Sequence, residues 1–161
     1  VYWLPIKAYM ISYKTGLSAK KTNAITNSLT NEEIDNVVER LQKAMKDEKL
    51  YLNPELNLAI LSKHTSLQQK IISAVLNQHI QKSFNVFVNE YRVEAFKERI
   101  SQADKENLTM AGIAAECGFN SQATFQRTFK EITGMPPSEY KKSVLKSGFE
   151  QPNFFNDPSK H

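Results

Sequence analysis

At 161 residues, 40% of them apolar and 24% charged, the chain has room for one ordinary domain or two small ones and can bury a core. Five glycines, six prolines and no sustained alternation of Val, Ile or Thr with polar residues argue against a β-rich fold, and a single cysteine excludes an intramolecular disulfide and a cysteine-built metal cage. The net charge of +4 is mild, but its excess is gathered in residues 58–146, which hold twelve basic and eight acidic groups; this agrees with a polyanionic partner without requiring one.

The first thirteen residues, VYWLPIKAYMISY, are apolar but interrupted by Pro5 and Lys7. They are too few for a bilayer, which takes about 20 apolar residues, and they lack the basic start and small-residue cleavage site of a secretory signal. With the polar stretch that follows, residues 1–30 read as a linker or a truncated upstream segment, a juxtamembrane position being one reading. Thr30 then caps a helix, with Glu33 in capping-box position, and Ile34, Val37, Val38, Leu41 and Met45 share one face. Its charged opposite face reads as solvated surface. Pro54 breaks the pattern.

Asn57 is the expected cap of a second helix that turns Leu58, Leu61 and Ile60 inward. A turn at Thr65–Ser66–Leu67 leads to a third helix carrying Ile71, Ile72, Val75 and Leu76. A long helix over 84–101 places Phe84, Phe87, Val88, Tyr91, Ala95 and Phe96 on an apolar stripe, and at ~1.5 Å per residue it runs roughly 27 Å. After the loop SQADKENL, Thr109 starts a short helix through Met110, Ile113 and Ala114 that stops near Cys117–Gly118. Ser121 caps the next helix, EITGMPPSEY breaks it, and a last helix covers 137–146. The tail, 147–161, has no period and reads as loose.

Two parts of this layout repeat. Residues 56–77 and 108–130 each form a short helix, a tight turn and a second helix with one apolar and one polar side, which is a helix-turn-helix plan. Leu61 matches Ile113; beyond the turn, one residue longer in the second copy, Ile72 matches Phe125 and Leu76 matches Phe129. Two copies about 50 residues apart are far less open to chance than one. The fold expected is all-α: two helix-turn-helix units of homeodomain-like three-helix form, 31–83 and 102–146, joined by the connecting helix 84–101.

The second copy, IAAECGFNSQATFQRTFKEITGMPPSEYKK, resembles the second half of the AraC/XylS-type DNA-binding domain. Gly118, Phe119, Ser121, Phe125, Arg127, Phe129, Lys130, Thr133, Gly134, Pro137 and Tyr140 carry the match, which extends back through NEYRVEAFKERI to about residue 50. The resemblance implies a bacterial transcriptional regulator's output domain that binds double-stranded DNA and reads two successive major grooves. Further partners expected are RNA polymerase and, if the chain is a piece of a longer protein, an upstream sensory or membrane region. By the same resemblance Gln122 and Arg127 hold base-reading positions, with Ala123, Thr124 and Gln126 on the same side and Ser121 and Lys130 suited to the backbone. In the first copy the DNA side is Gln69, Lys70, Ser73 and Ala74.

The chemistry of the residues agrees. Arg forks onto guanine O6 and N7 and Gln onto adenine N6 and N7, whereas a carboxylate there would meet phosphate. From Gly118 to Lys130 the polar side has donors and no acid. The first copy departs from the pattern: Ala74 stands where Arg127 does, Ser66 replaces a turn glycine, Gln68 replaces the capping serine, and Gln81 stands where Gly134 does. Ala74, Gln81 and the modest net charge motivate the alternative, a protein-interaction module that kept the fold and lost DNA. Cys117 reads as a small buried thiol, since a nucleophile needs a base or a lowered pKa and neither His64 nor His79 is suitably spaced. No Walker loop, zinc spacing or catalytic triad order appears, so no enzyme, metal, cofactor or small-molecule ligand is expected. The expected location is the cytoplasm, associated with the nucleoid, with the cytosolic end of a membrane protein as the alternative.

Overall fold

A computed structural model describes residues 28–100 and 109–147. The expectations for residues 1–27, for the loop after position 100 and for most of the tail lie outside the described residues. Among those described there are helices and no strands.

Helix α1 spans Asn31–Lys46. The capping box forms as expected: the Thr30 hydroxyl accepts from Glu33 N (3.2 Å), and the Glu33 carboxylate accepts from Thr30 N (2.7 Å). The α1 face bearing Ile34, Val37, Leu41 and Met45 is buried, while Val38 is half-buried. A 3-10 turn, Leu50–Leu52, follows a left-handed Lys49 (φ 50). Helix α2, Leu58–Thr65, is capped by the Asn57 side chain, which accepts from Ile60 N (3.0 Å). Arg40 of α1 donates to the Thr65 carbonyl, so one member of the charged face ties α1 to the end of α2.

Helix α3, Gln69–Val75, runs on into a turn of π-helix, Leu76–Ile80. Then come the connecting helix α4, Phe84–Ile100, the short α5, Met110–Glu116, α6, Gln122–Thr133, and α7, Pro137–Ser147. The hydroxyls of Thr109 and Ser121 cap α5 and α6 by accepting from Gly112 N (3.0 Å) and Thr124 N (3.2 Å).

The repeat is visible in the backbone. Ser66 and Gly118, at matched turn positions, have φ of 53 and 92; Gln81 and Gly134, at matched ends, have φ of 60 and 80. The fold therefore imposes the same left-handed residues on both copies, and the first copy meets that demand with side-chain-bearing residues.

Apolar packing is divided between two cores. In the first, α1, α2 and α3 enclose Leu41, Met45, Leu61, Ile72, Val75 and Leu76, joined by Phe87 and Val88 of α4. In the second, Val93, Phe96 and Ile100 of α4 meet Ile113, Cys117, Phe119, Phe125 and Phe129. The Phe96 ring sits 4.6 Å from that of Phe125 and 5.4 Å from that of Phe129, centroid to centroid, and Phe129 contacts Tyr140 of α7 at 5.5 Å.

This corrects the single stripe expected for the connecting helix. At about 100° per residue, Phe87 and Val88 face roughly opposite to Val93, Phe96 and Ile100. Tyr91 and Ala95 are half-buried, and Val93 and Ile100, absent from the expected stripe, are core residues. One helix serves two cores, one on each side.

Candidate nucleic-acid interface

Helix α6 divides cleanly. Phe125, Thr128 and Phe129 are buried; Gln122, Ala123, Gln126, Arg127 and Lys130 are exposed. The cap at Ser121 and the left-handed Gly134 set the two ends, and the phenylalanines fix the rotation of the helix against α4 and α5. Rotation is what decides which side chains face water, so the amide, guanidinium and ammonium groups project outward because the aromatic rings cannot. The first acid on the helix, Glu131, falls in its last turn.

Beside this face lies a shallow groove of about 370 Å³, lined by Met110 and Ala111 at the start of α5, by Gln122, Gln126 and Lys130, and by Pro137 and Ser138 at the start of α7. Thr124 is half-buried, and its hydroxyl oxygen accepts from the Ser121 hydroxyl at 2.8 Å. Ser121 and Thr124 are thus engaged in the helix cap, with Ser121 still exposed to solvent.

On α3, Gln69 and Lys70 are exposed and Ser73 is half-buried. Ala74 is not on the solvent side: its exposure is 0%. The sequence expectation that its methyl faces a ligand is therefore incorrect. Although Ala74 occupies the register position of Arg127, its one-carbon side chain is fully covered by its surroundings. Asn77, one register step beyond Ser73 and matched to Lys130, is exposed and completes the row Gln69, Ser73, Asn77. The i, i+4, i+8 spacing was the signal that could have found it. No side chain caps α3 at Gln68.

Cys117 is fully buried, and burial pushes its thiol up to about 11, opposed by Arg99 and reinforced by Glu116 and Glu98. A thiol so placed stays protonated near neutrality and is a poor nucleophile. Among the described residues no group of three or more His, Cys, Asp or Glu is arranged to hold a metal ion, and no helix is long and apolar enough to cross a membrane.

A family model described as a helix-turn-helix domain matches residues 61–143, from the middle of α2 into α7. The chain belongs to the AraC-type helix-turn-helix family. This is a family of transcription-regulator domains and not of enzymes, and membership makes the AraC-type domain a DNA-binding element of transcriptional regulation.

An uncharacterized HTH-type transcriptional regulator of Staphylococcus aureus (strain COL) is 30% identical over 92 residues, 57% of this chain and 12% of that protein. The probable transcriptional regulator LumQ of Photobacterium leiognathi is 28% identical over 105 residues, 64% of this chain and 41% of that protein. The chain thus spans less than half the length of these relatives. The AraC-type fold also appears in the C-terminal domain of AraT, a response regulator from Geobacillus stearothermophilus, with a TM-score of 0.57 and 20% identity, covering 78% of this chain and 94% of that one. A Listeria innocua protein of unknown function superimposes with a TM-score of 0.58 and 22% identity over 66% of this chain and 95% of that one.

Proposed function

We propose that this AraC-type domain binds double-stranded DNA sequence-specifically, with α6 in one major groove and α3 in the next. The observation that carries this reading is the exposed row of Gln122, Gln126, Arg127 and Lys130, whose side chains make no hydrogen bond or ion pair with any other described residue. Donors left open on a helix anchored by its other face are what base edges and phosphates require. Arg127 and Gln122 read bases. Lys130 and the Ser121 end of the helix meet phosphate.

In the first unit, Lys70 holds phosphate while Gln69, Ser73 and Asn77 supply weaker hydrogen bonding. With Ala74 buried, that unit has no forked contact to guanine. The second unit therefore carries most of the sequence discrimination and the first acts mainly as a grip. Adjacent major grooves on one face of a duplex lie about 34 Å apart, and α4, with 17 residues, extends roughly 25 Å. Seating both helices fully would thus bend the duplex toward the protein.

The test is a salt titration on a duplex selected by this protein from a random-sequence pool. Log K is expected to fall linearly with log salt, and Arg127→Ala to cost about 1–3 kcal/mol and relax preference at one base pair. No affinity for any duplex at low salt would leave the interaction-module alternative standing. Unchanged affinity and preference in Arg127→Ala would remove the base-reading assignment.

A further inference from the structure

The two units touch through a small polar junction on the inner side of α4. Arg92 lies between the residues that α4 gives to the first core and those it gives to the second. Its Nε donates to the carbonyl of Tyr51 (2.8 Å), in the 3-10 segment of the first unit, and its Nη2 to that of Asn53 (2.8 Å), just after it. A longer contact runs from Nη1 to Asn89 Oδ1 (3.4 Å). On its other side the guanidinium stands 5.9 Å from the centroid of the Phe119 ring, in the turn of the second hairpin. Burial pulls the Arg92 pKa below its usual value, but an arginine stays charged under these conditions.

Gly118 completes the junction. A β-carbon there would collide with the Tyr51 carbonyl oxygen and come within 3.0 Å of Arg92 Nε and 3.1 Å of the Leu52 carbonyl carbon. The turn of the second hairpin therefore presses backbone to backbone on the first unit. Ser66, at the matched turn position in the first hairpin, is exposed. Apolar packing alone leaves the phase of two cores on one helix weakly determined, because hydrophobic contact is not directional. A planar guanidinium with two carbonyls along its edge and a ring beyond it is directional.

We infer that Arg92, seated against Gly118, is a positioning residue that fixes the angle and separation of the two reading helices, and so the spacing of half-sites the domain accepts. Its consequence for DNA rests on the function proposed above; the latch itself does not. Removing Arg92 loosens spacing selectivity and leaves base preference within each half-site unchanged.

The experiment uses the full chain labelled with spin probes at Glu39→Cys on α1 and Glu131→Cys on α6, both exposed in this fold, with Arg92 intact or changed to Gln. Without DNA, the wild-type distance distribution is expected to be narrow and that of Arg92→Gln broad or shifted, with helical circular dichroism retained. Should Arg92→Gln not fold, Arg92→Lys, which keeps the charge but loses the fork, is expected to broaden the distribution in the same sense.

On a duplex selected by the wild type, inserting base pairs between the half-sites should weaken wild-type binding on the order of tenfold and variant binding far less. Identical distance distributions in wild type and variant overturn the latch whether or not DNA binds. Equal sensitivity to the insertions overturns its role in spacing. A wild type that binds no duplex refutes the DNA reading, and the distance measurement alone then decides the latch.

Discussion

Ser66 and Gly118 hold the same left-handed turn position in the two hairpins, yet only at Gly118 does the backbone of the other unit leave no room for a β-carbon. The conformational demand is common to both; the steric demand is not. Gly134 provides a third case, with φ of 80 and nothing within 4 Å of an added β-carbon.

These three positions separate the two costs. Gly134→Ala is expected to lose about 1 kcal/mol from left-handed strain alone. Gly118→Ala adds overpacking against fixed backbone and should lose about 3 kcal/mol or more. Ser66→Gly should be neutral or stabilise by up to about 1 kcal/mol. Urea unfolding of the three variants checks the order; a Gly118→Ala loss no larger than that of Gly134→Ala would mean that the junction with Tyr51 is not a close one.

The buried Ala74 makes a second prediction. Copying the second unit by Ala74→Arg places a charged chain where exposure is 0%, and it should destabilise the fold by about 3 kcal/mol instead of strengthening the first reader. Ser73→Arg, on the half-exposed neighbour, is expected to change stability by less than about 1 kcal/mol and to raise DNA affinity. Thermal unfolding and a binding isotherm on each variant distinguish the sites; gains in affinity from Ala74→Arg at unchanged stability would contradict the burial of that position.

Helix starts differ in a way that is measurable. Ser121→Ala removes the hydroxyl that accepts from Thr124 N and should cost about 1 kcal/mol. Gln68 makes no side-chain cap although its backbone is extended, with φ −69 and ψ 138. Gln68→Ser is therefore expected to stabilise the first unit by roughly 0.5–1 kcal/mol. Denaturation midpoints moving in opposite directions for the two variants would agree; no change for Gln68→Ser would show that the α3 start is satisfied by other means.

Cys117 links stability to alkaline pH. Burial raises its thiol from 9.0 to about 11, so between those values the folded chain keeps a proton that the unfolded chain has released. The contribution of the protonated thiol is complete below pH 9 and is lost as pH climbs toward 11. Tyr51 and Tyr91 are also raised by burial and act in the same sense, but they are present in wild type and variant alike. Unfolding free energies measured across this range should decline less steeply in Cys117→Ala than in wild type. Parallel declines would place the thiol in contact with solvent.

Much of this domain was legible locally. Helix starts follow from one side chain and a backbone N–H three residues on, so Thr30, Asn57, Thr109 and Ser121 marked their caps without any knowledge of packing. The outward set Gln122, Gln126, Arg127 and Lys130 was readable for a related reason: Phe125 and Phe129 on the helix, with Phe119 in the turn before it, leave α6 only one way to face. The doubled turn geometry was also signalled, since Ser66 and Gln81 stand where glycines stand in the other copy.

What the tertiary structure alone decided are relations between segments far apart in the chain. The periodicity of a single buried face does not mark Val93 and Ile100, because two cores grip this helix from opposite sides. Residue type favoured an accessible methyl at Ala74, but accessibility depends on the length of the surrounding side chains, which no local pattern contains. Arg92 is one polar residue among several on α4; its partners, Tyr51 and Asn53, come from a turn about forty residues earlier. Caps and periodicity are short-range and are written in neighbouring residues, whereas burial and the joining of two units arise only when distant backbone is brought into contact.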